Sequence, residues 1–332
     1  MKTTLALSLI LLIAVSGVAS QEKPKLRDVD RIRLAEAFRL KDKLGDELWT
    51  EWSKTLFAVL LVTQDKEFLI RHPRPSEDFT SLGHDALLKS DVYVRDRKFQ
   101  TNLLATFPAV GGISTIVIGQ AENTASKTST PWIITLLHEH FHQLQDSQPN
   151  FYKETESLHL SGGDQTGMWM LNYPFPYATP EVSQQFSVLA RRLVEAMEAK
   201  TPVQFSARLA SYLEARDALK KILSADEYKY FSFQLWKEGI SRYTEDRVAH
   251  WAATEYQPSA EFRNLKDFMT FAAAADQVRG GIVRELSTLK LENYKRVAFY
   301  PLGAGEGLLL DRANQKWRSR YFAEKFDNRK YF

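Results

Sequence analysis

The 332-residue sequence contains no cysteine. That absence excludes disulfides, thiolate nucleophiles and thiolate metal ligands, and leaves no residue to carry a lipoprotein anchor. Charge of one sign is lacking too, since 44 Lys and Arg against 41 Asp and Glu leave a formal net charge of +3. So small an imbalance speaks against a nucleic-acid surface. Beyond residue 20 no apolar run approaches the roughly 20 residues that a membrane-spanning helix needs. Internal repeats and low-complexity tracts are missing as well. What remains is 44% hydrophobic and 26% charged, an ordinary balance in a chain long enough to bury a core unaided.

The first twenty residues differ in kind. Lys2, the apolar "LALSLILLIAV" and the small residues "SGVAS" read as a secretory signal cleaved after Ala19 or Ser20, which predicts a secreted or periplasmic protein. From 21 to 130 an α/β pattern follows. A helix in "RDVDRIRLAEAFRLKDKLGDELW" ends at Gly45, and "LFAVLLVTQDKEFLIRH" reads as strand, turn and strand. Two more strands are expected in "DVYVRDRKF" and "GGISTIVIG". From 131 to 332 the chain is almost wholly helical. It opens with a helix capped at Thr130, with Pro131 in its first position and Pro149 beyond its end. "PEVSQQFSVLARRLVEAMEAK" and "QFSARLASYLEARDALKKIL" are amphipathic helices. A capping box at Ser224 and Glu227 starts a long helical stretch through Trp251. The aromatic "MWMLNYPFPYATP" (168–180) is broken by Pro174 and Pro176, so it predicts an irregular wall. The expected fold class is α+β: a small N-terminal mixed-sheet lobe, then a largely helical part that carries the site, the two forming one catalytic unit.

Three of the chain's seven histidines fall within five positions of "TLLHEHFHQLQ" (135–145). On an α-helix, positions i and i+4 share a face with Cβ atoms about 6 Å apart, so His138 and His142 can reach one ion. His140 lies about 200° round the helix from His138 and cannot join them. Glu139 completes His-Glu-x-x-His. Its carboxylate can take a proton from the attacking water and pass it to a leaving amine. Ile134, Leu137, Phe141 and Leu144 recur at helical spacing and would bury the opposite face.

This segment resembles the extended zincin metallopeptidase pattern, with Thr135 three residues before the first His and uncharged residues around the motif. Metzincins would continue with glycine and histidine where Gln145 and Gln148 stand, so the resemblance is to the gluzincins, which take a Glu from a later helix. In "QLWKEGISRYTED", Glu238 followed by Gly239, Tyr243 and Glu245 is similar to the second motif of aminopeptidase-N-like enzymes. It departs from that motif at Lys237 and in its longer distance from His142. The resemblance implies a zincin-like fold, Zn2+ held by His138, His142 and Glu238, and hydrolysis of a peptide or protein substrate with Glu139 as base. It also places a strand along the cleft edge, for which "ISTIVIG" (113–119) is the candidate. "GQAEN" resembles an exopeptidase motif in which Glu122 would bind an α-amine.

The residues add their own constraints. Gly239 costs about 1 kcal/mol inside a helix, which a close approach to the His138–His142 helix would explain. Arg242 and Glu245 share a face with Glu238 and can orient the ligands. His159 and His250 are rival third ligands. Tyr243 and Tyr300 are candidates to stabilise the oxyanion. A zinc hydrolase of a non-peptide bond, or an inactive zincin-fold envelope-binding protein, are the other readings.

Overall fold

Short β-branched and aliphatic runs between residues 59 and 119 pair into one twisted sheet of six strands. They are β1 (Val59–Val62), β2 (Lys66–Ile70), β3 (Thr80–Asp85), β4 (Ser90–Asp96), β5 (Leu104–Val110) and β6 (Ile113–Gly119), in the order β3-β4-β2-β1-β6-β5. The structure is a computed structural model and describes residues 24–332. The expected secretory signal lies outside the described residues. Only β1 and β6 run parallel, and the other neighbours are antiparallel. Alternation gives the sheet two apolar faces. Val59, Leu61, Phe68, Ile70, Ile116 and Ile118 face the main core, while Leu60, Val62, Leu69 and Val117 cover a smaller cluster with Phe79, Phe99 and Phe107.

The expected edge strand is corrected here. "ISTIVIG" is β6, flanked by β1 and β5, and its last five residues are buried. A continuous apolar run suits that interior place, where hydrogen bonds on both sides leave nothing for a substrate. The edge is β5, which carries Pro108 and shifts register between Phe107 and Val110. An edge tolerates proline because one row of its N–H groups has no sheet partner.

Helix α1 (Asp28–Leu44) closes on Gly45, whose φ of 55° is one that glycine adopts readily. Helix α2 (Ser129–Asp146) carries the histidines. It starts two residues before the expected point, with Thr128 at the N-cap. Pro131 is still harmless, because first-turn N–H groups have no partner inside the helix. Short helices α3 (Phe151–Glu156) and α4 (Trp169–Asn172) lead to α5 (Pro180–Met197) and α6 (Pro202–Ile222), which pack as a pair.

The capping box forms as expected and opens α7 (Ala225–Gln234). A single π turn, Leu235–Gly239, joins it to α8 (Ile240–Glu255). Next come α9 (Ala260–Arg263), α10 (Phe271–Thr288), α11 (Leu291–Tyr294), α12 (Phe299–Ala313) and α13 (Trp317–Tyr321). One continuous core runs from the sheet through α2 to α12 and the Trp49, Trp236, Trp317 and Tyr321 rings, so the two halves share a single interior. Among the described residues no helix is long and apolar enough to cross a membrane.

Candidate metal centre

Three elements build the site: α2 from the core, the edge strand β5 beside it, and the π turn with α8 facing it. His138, Glu139 and His142 are each 5% exposed. Atoms from these three side chains lie within 4.8 Å of one another, a buried group that could bind a metal ion. The Nε2 atoms of His138 and His142 are 3.2 Å apart. Glu238 Oε2 lies 3.3 Å from His142 Nε2 and 4.0 Å from His138 Nε2.

Whether these donors fit a cation follows from their protons. The Gln145 amide donates to the Lys237 carbonyl at 3.1 Å and to the Tyr321 hydroxyl at 2.8 Å, so its oxygen is turned to His142 Nδ1 at 2.6 Å. That oxygen accepts, which puts the His142 proton on Nδ1 and a lone pair on Nε2. His138 Nδ1 lies 2.7 Å from Glu245 Oε1, a contact off the ring N–H axis. The His142 Nε2 lone pair and a Glu238 oxygen thus face His138 Nε2, and a proton on that nitrogen or a bound cation would relieve the contact. Bonds of about 2.05 Å around a tetrahedral Zn2+ would separate ligand atoms by about 3.3 Å, close to the shorter two distances observed.

Electrostatics agree with the geometry. Burial would raise the Glu238 pKa, but the imidazoles of His142 and His138 reverse this and hold it far below the usual carboxylate range. Glu245 is lowered likewise, with Arg242 and His138 overcoming its burial. Burial lowers the His138 pKa, yet Glu245, Glu139 and Glu238 together raise it on balance. The three carboxylates favour positive charge in the pocket. Arg242 bonds Glu245 and lies 3.6 Å from Glu285, so Glu245 is held between an arginine and a histidine.

Three carboxylates lie near the imidazoles, Glu139, Glu238 and Glu245. The Thr106 hydroxyl of β5 lies 2.7 Å from Glu139 Oε2 and 3.0 Å from the Glu139 carbonyl. Glu139 is thereby tied to the edge strand, whereas Glu238 approaches from the opposite helix. Glu238 has the spacing of a coordination edge to His142 Nε2, at 3.3 Å, and lies farther from His138 Nε2, at 4.0 Å.

The π turn explains how Glu238 gets there. Its wider winding shifts the helix and frees main-chain carbonyls. Those of Trp236 and Lys237 accept instead from Tyr321 at 2.5 Å, Gln145 at 3.1 Å and Ser241 at 2.7 Å. Gly239 needs its missing side chain, but for a different neighbour than expected. A Cβ there would collide with Gly303 of α12, not with α2. This glycine–glycine crossing brings α12, and with it Tyr300, up to Glu238.

Tyr300 stacks over His138 at 6.5 Å between ring centroids, 24° from parallel. Burial and the Glu238 charge push its hydroxyl pKa well up, so it stays protonated and able to donate. Tyr243 is not brought to the site. Its hydroxyl bonds both oxygens of Asp311 at 2.8 Å, and its ring packs against Trp49, Trp317 and Gly307. Neither rival ligand joins the cluster: His250 bonds the Asp246 carbonyl at 2.8 Å, and His159 lines a separate cavity. Glu122 contacts Arg27 at 2.6 Å and Arg33 at 3.2 Å, so its carboxylate already has cationic partners. His140 sits as geometry requires, away from the cluster and stacked on Phe57 at 3.9 Å, its pKa lowered by burial to about 3.

Sequence reasoning missed Gln145 and Thr106. Gln145 was visible in principle, since it falls seven residues after His138 and three after His142, on the same face. Comparison with protein-family models, with curated proteins and with solved structures finds no match to this chain.

Proposed function

We propose that the protein is an exported, zinc-dependent hydrolase of zincin-like fold that cleaves peptide bonds. The observation that carries this reading is the pair of imidazole Nε2 atoms 3.2 Å apart, facing Glu238 with Glu139 beside them. Three protein ligands leave a position open, which distinguishes catalytic from structural zinc sites. When bound, Zn2+ would polarise the scissile carbonyl and acidify water.

The chain's own residues do the rest. Glu139, steadied by Thr106, accepts the proton of the attacking water and returns it to the leaving amine. Tyr300 donates toward the oxygen on which negative charge develops. The Gln145 side chain holds His142 in the tautomer that leaves its Nε2 free, and Glu245 lies against the far nitrogen of His138.

A peptide substrate is supported by the edge of β5. Leu103 accepts from Gly119 at 2.9 Å, and the register then turns the N–H and C=O of Leu104 and Thr106 outward. An extended peptide can add there as a seventh strand, directly beside Glu139. Incubating metal-loaded protein with an unbiased peptide library and sequencing the products tests this reading. Cleavage abolished in Glu139→Gln is the expected result, while an intact library with stoichiometric zinc bound would refute it. Glu238→Ala should weaken zinc binding more than Glu139→Gln, and the reverse order would exchange their roles.

A further inference from the structure

Arg296 lies in the 3-10 turn Lys295–Ala298, immediately before the helix that carries Tyr300. The turn is entered through Lys295 at φ +48°, a backbone conformation that side-chain-bearing residues rarely adopt. Arg296 is half-buried, and its Nη1 donates to the Tyr300 hydroxyl at 2.6 Å. The Tyr300 ring stacks in turn over His138, so the guanidinium stands one side chain away from the metal centre.

Its surroundings differ from those of the neighbouring arginines. Arg242 reaches Glu245 and Glu285, Arg279 reaches Asp246, and Arg318 reaches Asp311. Among the described residues Arg296 has no carboxylate within ion-pair distance, and the Tyr300 oxygen is its one recorded acceptor. A guanidinium offers five N–H donors in a planar fork, so most of its donors remain available. Burial opposes its charge, but Tyr300 and Glu238 more than compensate and the group stays cationic. The same charge acts on the Tyr177 and Tyr230 hydroxyls. A half-dry cation with spare donors beside a hydrolytic centre matches a planar anion by charge and by geometry.

We propose that Arg296 binds a carboxylate of the substrate close to the scissile bond, which makes the site selective for acidic peptides. The carboxylate has two possible sources, a free chain end or an Asp or Glu side chain next to the cleaved bond. The inference rests on the hydrolase reading for its biological meaning, but its test does not need turnover.

Calorimetric titration of metal-free protein provides that test. Hippuryl-phenylalanine is compared with its C-terminal amide, and doubly blocked Ala-Asp-Ala with doubly blocked Ala-Asn-Ala. Wild type should bind the acid about 10- to 100-fold more tightly than its neutral partner in at least one pair, the range expected for charge-assisted hydrogen bonds. The first pair reports a chain end and the second a side chain. Arg296→Met should erase the difference and leave binding of the neutral peptides in place, while Arg296→Lys should retain part of it. Equal binding of acid and neutral partners by wild type would overturn the proposal. So would an Arg296→Met or Arg296→Gln variant that weakens both members of a pair alike, since that marks a purely structural clamp on Tyr300. If instead the library goes uncleaved while the acid preference persists, the hydrolase reading fails and the carboxylate site stands.

Discussion

Helix α12 contributes to two clusters of buried charge that obey opposite rules. Around Glu306 the cluster is complementary. One carboxylate oxygen accepts from Tyr212 at 2.5 Å and from Arg216, the other from Asn328 at 3.1 Å, and Arg216 reaches Asp327 at 3.0 Å. Arg216 and Glu306 are both 0% exposed. Two turns earlier on the same helix, Tyr300 borders a cluster in which two imidazole Nε2 atoms and a Glu238 oxygen lie 3.2 to 4.0 Å apart, with Glu139, held by Thr106, beside them. Burial and ion pairing alone do not separate the two. The balance of donors against acceptors does, because a cluster that supplies its own protons is a structural clasp, whereas one richer in acceptors could hold a cation.

The comparison can be broken in several places. The largest change is expected in Glu139→Gln, which should retain zinc and lose about 10²- to 10⁴-fold in peptide turnover, as read from kcat with metal content measured in parallel. Next comes the clasp. Glu306→Ala leaves Arg216 as a buried charge without its main partner, so thermal or denaturant unfolding should show a loss of about 3–5 kcal/mol while the zinc stoichiometry is unchanged. If zinc were lost as well, the two clusters would not be independent. Metal removal should act in the reverse sense. A chelator should lower the stability of zinc-loaded wild type by about 4 kcal/mol when free zinc had stood near a thousandfold above its Kd, and should leave His138→Ala unaffected. The smallest effects belong to the residues that orient the imidazoles. Gln145→Ala and Glu245→Gln should each weaken zinc binding by about 10- to 100-fold in a competition titration, with little change in the melting point of the metal-free protein.

Much of this contrast was legible in the sequence, but unevenly. His138, Glu139 and His142 depend on one helix and one spacing, so the i,i+4 rule places them before any tertiary structure is known. The strands β1, β2, β4 and β6 announced themselves by β-branched runs. Two strands did not. β3 spells Thr-Ser-Leu-Gly-His-Asp, mostly exposed and without an apolar stripe, and β5 contains Pro108, which sequence rules count against a strand. That second omission moved the cleft edge onto the wrong strand. Glu238 was picked out by the motif around it, yet the reason for Gly239 was misassigned, because its neighbour Gly303 lies 64 positions along the chain, in the glycine-rich "FYPLGAGEG" whose close packing names no partner. Tyr243 and Tyr300 were indistinguishable by type. Only packing gives one to Asp311 and the other to His138.

The π turn at Leu235–Gly239 has a consequence for the history of the chain. Such a turn holds one residue more than an α turn and amounts to a single insertion absorbed within a helix. Its phase is therefore adjustable one codon at a time. Removing one residue just before Glu238 would let α7 and α8 wind as one regular α-helix and rotate the segments on either side by about 100° relative to each other. Tyr230 and Gln234, anchored on the Met170 carbonyl at 3.0 and 2.7 Å, would then compete with Glu245 for the helix orientation. Every side chain named in the metal centre would still be encoded, and the centre would no longer assemble.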